Sequence, residues 1–70
     1  MTETRVLLEF PVEGGNFSAA GEAASKVKKT LQKLGIDSQL TRRVSIATYE
    51  AEMNIVIHAD YGKIVLQVDP

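Results

Sequence analysis

A stop signal and a start signal lie almost back to back in the middle of this chain, and they limit its fold more than any other feature. Gly35 follows an apolar stripe and supplies the residue type that most often ends a helix. Asp37 or Ser38 can then cap a new helix within two or three residues. Upstream, Phe17, Ala20, Ala24, Val27, Leu31 and Leu34 alternate spacings of three and four, which predicts a helix from about Asn16, a plausible N-cap, to Leu34. Gly21 weakens that helix locally, and a close approach by another segment would explain it. Downstream, a second helix is expected from about Gln39 to His58.

Both flanks change period. In Arg5 to Val12, Val6, Leu8 and Phe10 point one way and Arg5, Leu7 and Glu9 the other, which reads as a strand that Glu13-Gly14-Gly15 breaks. Pro11 has no amide donor and belongs at an edge or strand end. Asp60-Tyr61-Gly62 has turn chemistry. Lys63 to Val68 is a second strand, with Ile64, Leu66 and Val68 on one face and Val65 and Gln67 on the other. The expected class is α/β, an α+β sandwich of β-α-α-β order, with the helices on one face of a small, mainly antiparallel sheet. Two strands alone are marginal, and Leu7, Val65 and the outer edges want cover. The chain therefore reads as the front part of a larger domain, or as a protomer that pairs with another chain.

Composition narrows the function classes. Seventy residues make at most one small domain, and a core of this size rarely supplies more than about 3–5 kcal/mol. There are no cysteines, which removes disulfides and thiolate metal sites and fits a reducing compartment. Eight basic and nine acidic residues leave a net charge of -1, without the basic excess of a nucleic-acid binder. No apolar run reaches the roughly 18 residues of a membrane span, and Met1-Thr2-Glu3-Thr4-Arg5 lacks the blocks of a signal peptide. A soluble, cytoplasmic chain is expected. Lys26, Lys28, Lys29 and Lys33 read as a solvated face complementing a helix C-terminus, with a partner-docking patch as the alternative.

The polar residues of the second helix carry the chemistry. Glu50, Asn54 and His58 stand four apart, so they stack along one helical face. Val44, Ile46, Ala47, Ala51, Met53, Ile55, Val56 and Ile57 surround them, and a helix this apolar is expected to be buried, with the three polar groups turned into a cavity or cleft. Glu50 suits a general base; the plainer reading pairs it with Arg42, Arg43 or a backbone amide, or leaves it exposed. Asn54 offers a neutral oxygen of the kind magnesium accepts beside phosphate and water; the plainer reading has its amide satisfy neighbouring groups. His58 suits a ligand contact, or simply a helix C-terminus. One His and no Cys argue against zinc. The glycines lack the spacing of a P-loop, and no serine sits in a nucleophile elbow.

The pattern Glu50-x-x-x-Asn54-x-x-x-His58-Ala59 resembles the N-box of the gyrase, heat-shock chaperone, histidine kinase and mismatch-repair ATPase superfamily. Within it, the chain is most similar to the small bacterial anti-sigma-factor serine/threonine kinases. The likeness runs through Leu8-Glu9-Phe10-Pro11, Asn16-Phe17-Ser18-Ala19-Ala20, Lys33-Leu34-Gly35-Ile36, the stretch Ile46 to Asn54, and Gly62 to Val68, covering nearly all of residues 1–70 with the N-box at 45–59. The resemblance implies an ATP-binding fold in which Glu50 is the general base for a serine hydroxyl or a water, Asn54 binds the magnesium that bridges the phosphates, and His58 lies against the nucleotide. It also implies a sigma factor or an anti-sigma antagonist as protein partner, with a homodimer as a further arrangement. The family's adenine-reading Asp-x-Gly-x-Gly box, its lid and its second glycine-rich segment do not occur here, so the 70 residues alone are expected to be inactive. Kinase, ATPase and idle ATP binder all stay open. The competing function is a non-catalytic interaction module of the same fold.

Overall fold

The computed structural model describes residues 6–69. It is an α+β fold: β1 (Val6–Glu13), a short 3-10 turn (Phe17–Ala19), α1 (Glu22–Lys33), α2 (Ser38–His58) and β2 (Tyr61–Val68). β1 and β2 pair antiparallel as one two-stranded sheet, with Val6 opposite Val68 and Glu13 opposite Tyr61. The expected β-α-α-β order is therefore present. Arg5, placed in the first strand by its sequence pattern, and Pro70 lie outside the described residues.

The turn between the helices forms as its residues dictate. Gly35 has φ +74°, and Ile36 and Gly35 donate backwards to the carbonyls of Leu31 and Gln32, both at 3.1 Å. These two bonds satisfy the last carbonyls of α1 in a Schellman motif. Two residues on, the Asp37 carboxylate accepts from the amides of Gln39 (3.0 Å) and Leu40 (3.2 Å), capping α2.

The first helix is shorter than its apolar stripe suggests. Asn16 makes no side-chain cap, although its Oδ1 accepts from the Ser18 hydroxyl at 2.9 Å. The chain makes only a 3-10 turn there, and α1 begins after Gly21, whose φ is +98°. That left-handed backbone ends any helix running through Gly21. A side chain at Gly21 would also stand 3.7 Å from the Tyr49 ring. At the other end, Tyr61 and Gly62 already belong to β2, with Asp60 just ahead of it, so the expected turn is absorbed into the strand. Gly62 leaves room there for Ile55, whose side chain would come within 2.7 Å of an added Cβ.

The core is small and runs from the junction of the sheet with α2 along the seam between α1 and α2. Val12, Ala23, Val27, Leu31 and Val56 are its buried apolar members. The link between the sheet and α2 is partly backbone: Gly14 donates to the Asp60 carbonyl (2.8 Å) and Gly15 to that of Val56 (2.7 Å). A Cβ on Gly14 would fall 1.6 Å from the Ala59 oxygen, so only glycine fits. Along the strands the packing thins. The inward strand residues Val6, Leu8, Phe10, Ile64, Leu66 and Val68 are only half-buried. The molecule is elongated, 43 × 24 × 14 Å with a radius of gyration of 12.8 Å, against about 11 Å for a compact chain of this length. On the outer sheet face, the Glu9 carboxylate bonds Lys63 Nζ at 2.7 Å and holds the Lys63 ammonium above the ordinary lysine pKa. Leu7, Tyr61 and Val65 are exposed on that face. Among the described residues no helix is long and apolar enough to cross a membrane.

Candidate functional site

α2 presents two faces with different tasks. Its packed face carries Thr41, Thr48, Glu52 and Val56, all buried. The Thr48 hydroxyl donates to the Val44 carbonyl at 2.7 Å, so this buried polar group is satisfied. Glu52 is only 2 % exposed. Its carboxylate reaches across to the start of α1, where Oε2 accepts from the amide of Ala23 (3.1 Å) and Oε1 from that of Ala24 (3.4 Å). Gly21, the N-cap of α1, has no side chain to do this. Glu52 thus supplies the cap from another helix and places a negative charge at the positive end of α1.

Glu50, Asn54 and His58 lie on the opposite side. Two residues turn a helix by roughly 200°, so Glu50 points away when Glu52 points in. All three side chains are exposed and share one stripe. Glu50 and Asn54 are one turn apart, about 5–6 Å between Cβ atoms; Glu50 to His58 spans about 12 Å of helix. The sequence placed the trio toward a cleft on a buried helix, but α2 is buried on one side only. Leu40, Ile46 and Ile57 on the same helix are each about half-exposed, at 51 %, 51 % and 55 %. Glu50 has no ion-pair partner among the described residues, so neither Arg42 nor Arg43 neutralises it.

Among the described residues two clefts stand out, and none of the three residues lines either. The first, of about 390 Å³, lies where β1 ends against α1, between Phe10, Val12, Ala23 and Glu52. The N-terminus of α1 opens onto it, a place where phosphates commonly bind. Here Glu52 already fills that position, and Glu9, Glu13 and Glu22 add negative charge that Lys26, the one cation among the described lining residues, does not balance. The first cleft is therefore hostile to phosphate. The second cleft lies between α1 and α2.

The donor set can also be tested against magnesium. No group of three His, Cys, Asp or Glu that could hold a metal occurs among the described residues. Asn54 offers one neutral oxygen and Glu50 a carboxylate one turn away, both open to solvent. That set does not hold a resident ion. It does fit magnesium arriving already bound to phosphates and water, which needs only one or two protein ligands.

Glu52 escaped sequence reasoning because its residue type stands out no more than that of Glu50. The available signal was its register, four residues from Thr48 and four from Val56 on the packed stripe. Comparison of the chain with protein-family models, with curated proteins and with solved structures finds no match.

Proposed function

We propose that the exposed stripe of α2 is one wall of a magnesium-nucleotide site, in a cytoplasmic regulatory protein of the anti-sigma-factor kinase type. The observation that carries this reading is the accessible register of Glu50, Asn54 and His58 on the face of α2 turned away from its own packing. Asn54 would hold magnesium, which when bound neutralises phosphate charge. Glu50 would accept the proton of a partner serine hydroxyl or of a water. His58 would lie against the nucleotide. Phosphoryl transfer depends on such positioning and charge neutralisation more than on covalent help. A surface closing over the outer face of α2 would complete the pocket, and a sigma factor or its antagonist would be the regulated protein.

The test is isothermal titration of the intact native protein with magnesium-ATP. Asn54→Ala abolishes binding, and unchanged affinity in that variant removes the proposal. The 70-residue chain is expected to bind ATP weakly or not at all, because its sequence holds no Asp-x-Gly-x-Gly box; tight binding by this chain contradicts that expectation.

A second reading is a non-catalytic interaction module. It is favoured by the large apolar side chains left exposed on two elements, Leu40, Ile46 and Ile57 on α2 and Leu7, Tyr61 and Val65 on the outer sheet face, surface that a partner would cover. Sedimentation equilibrium that finds only monomer at high concentration eliminates its self-associating form.

A further inference from the structure

The seam between α1 and α2 opens on one side into a groove of about 670 Å³. Ala24, Ile36, Ile46 and Tyr49 give it an apolar lining. Thr41 and Ser45 also lie there, but their hydroxyls donate to the carbonyls of Ile36 (3.4 Å) and Thr41 (2.7 Å). The lining therefore asks little of a polar ligand. The walls are different. Lys28 on α1 and Arg42 on α2 flank the groove, both exposed and both without an ion-pair partner among the described residues. No carboxylate lines it. Asp37, beside its Ser38 end, is engaged in capping α2.

We propose that this groove docks an amphipathic helix of a protein partner, one carrying acidic residues along both flanks of its apolar stripe. Length, shape and charge agree on that occupant. From Ser38 to Tyr49 the groove follows α2 for roughly 17 Å, or three turns. An open trough between two helices accepts a third helix through side chains at i, i+3, i+4 and i+7. Cations on both walls call for anions on both flanks, which a helix supplies and a small anion at one wall does not. The helices of a second copy do not fit: the outward side of α1 carries Lys26, Lys29 and Lys33, and the outer face of α2 carries Arg43 as well as Glu50. The inference is independent of nucleotide binding, because Glu50, Asn54 and His58 stand outside the groove.

The test uses a synthetic four-turn peptide with leucines on one face and glutamates on both flanks, fluorescein-labelled and titrated with the 70-residue chain by fluorescence anisotropy. Saturable binding that weakens with salt is expected. Lys28→Glu combined with Arg42→Glu lowers affinity by about tenfold or more, and replacing the peptide's glutamates by lysines restores binding to that double variant. Lys29→Glu combined with Arg43→Glu, outside the groove, leaves affinity within about twofold, in keeping with weak rim charges. All four residues are exposed, and unchanged circular dichroism shows that each variant is folded. Equal affinity of the wild type and the Lys28/Arg42 variant overturns the proposal. So does equal loss in the Lys29/Arg43 variant, or undiminished binding of a peptide whose leucines are replaced by serine.

Discussion

Glu50 and Glu52 are two residues apart on one helix and live in opposite surroundings. Glu52 is buried and spends both oxygens on the first amides of α1. Glu50 is exposed, with no ion-pair partner among the described residues. The difference is one of helical phase, and it separates holding the fold together from meeting something outside it. Residue type alone assigns neither task.

The sharpest way to break this contrast is to remove the two carboxylates in turn. Glu52→Ala strands the buried amide of Ala23 and takes the charge from the start of α1. A buried donor left unpaired costs about 1–3 kcal/mol, and the void left by the side chain adds to it, so a loss toward the upper end, near 3 kcal/mol, is expected. A core of this size rarely supplies more than about 3–5 kcal/mol. Urea denaturation of Glu52→Ala should therefore show a protein at the edge of unfolding at room temperature. A midpoint close to wild type would mean that the cap contributes little. Glu52→Gln keeps the volume and one acceptor oxygen but loses the charge, and about 1 kcal/mol is expected from the same measurement.

Asp37→Ala extends the comparison to an ordinary cap. Asp37 does for α2, from the adjacent position, what Glu52 does for α1 from 29 residues away. The Asp37 carboxylate is exposed, so water replaces it when it is removed. The expected loss is about 1 kcal/mol, smaller than for Glu52→Ala. Equal losses would show that burial adds nothing to the distant cap.

The same pair shows what could be read in the residues and what could not. The interhelical turn was legible because Gly35 and Asp37 act on their own neighbours. The strand faces were legible because alternation needs only a local count: Ile64, Leu66 and Val68 turn inward and Val65 and Gln67 outward, as expected. The start of α1 was not. An apolar stripe runs unbroken through Phe17, Ala20 and Ala24, and only the backbone shows Gly21 at φ +98°. Nor was the burial of Glu52, since its partners lie on another helix. For the candidate site, the shared stripe of Glu50, Asn54 and His58 followed from spacing, but its direction did not. Apolar neighbours suggested a buried helix, whereas Ile46 and Ile57 are themselves exposed.

Glu50→Gln is the smallest expected perturbation and the one that tests the functional half of the comparison. Glutamine preserves size and helix propensity, and an exposed group with no ion pair has little to lose on folding. The expected change in urea midpoint corresponds to less than about 0.5 kcal/mol. If Glu50 acts as a proton acceptor, the intact protein carrying Glu50→Gln still binds magnesium-ATP, because Asn54 is untouched, yet transfers phosphate to a partner serine or to water at least about a hundredfold more slowly. Loss of binding together with turnover would instead make Glu50 part of the ligand-holding set. Unchanged turnover would remove it from the chemistry and leave the outer face of α2 as an interaction surface.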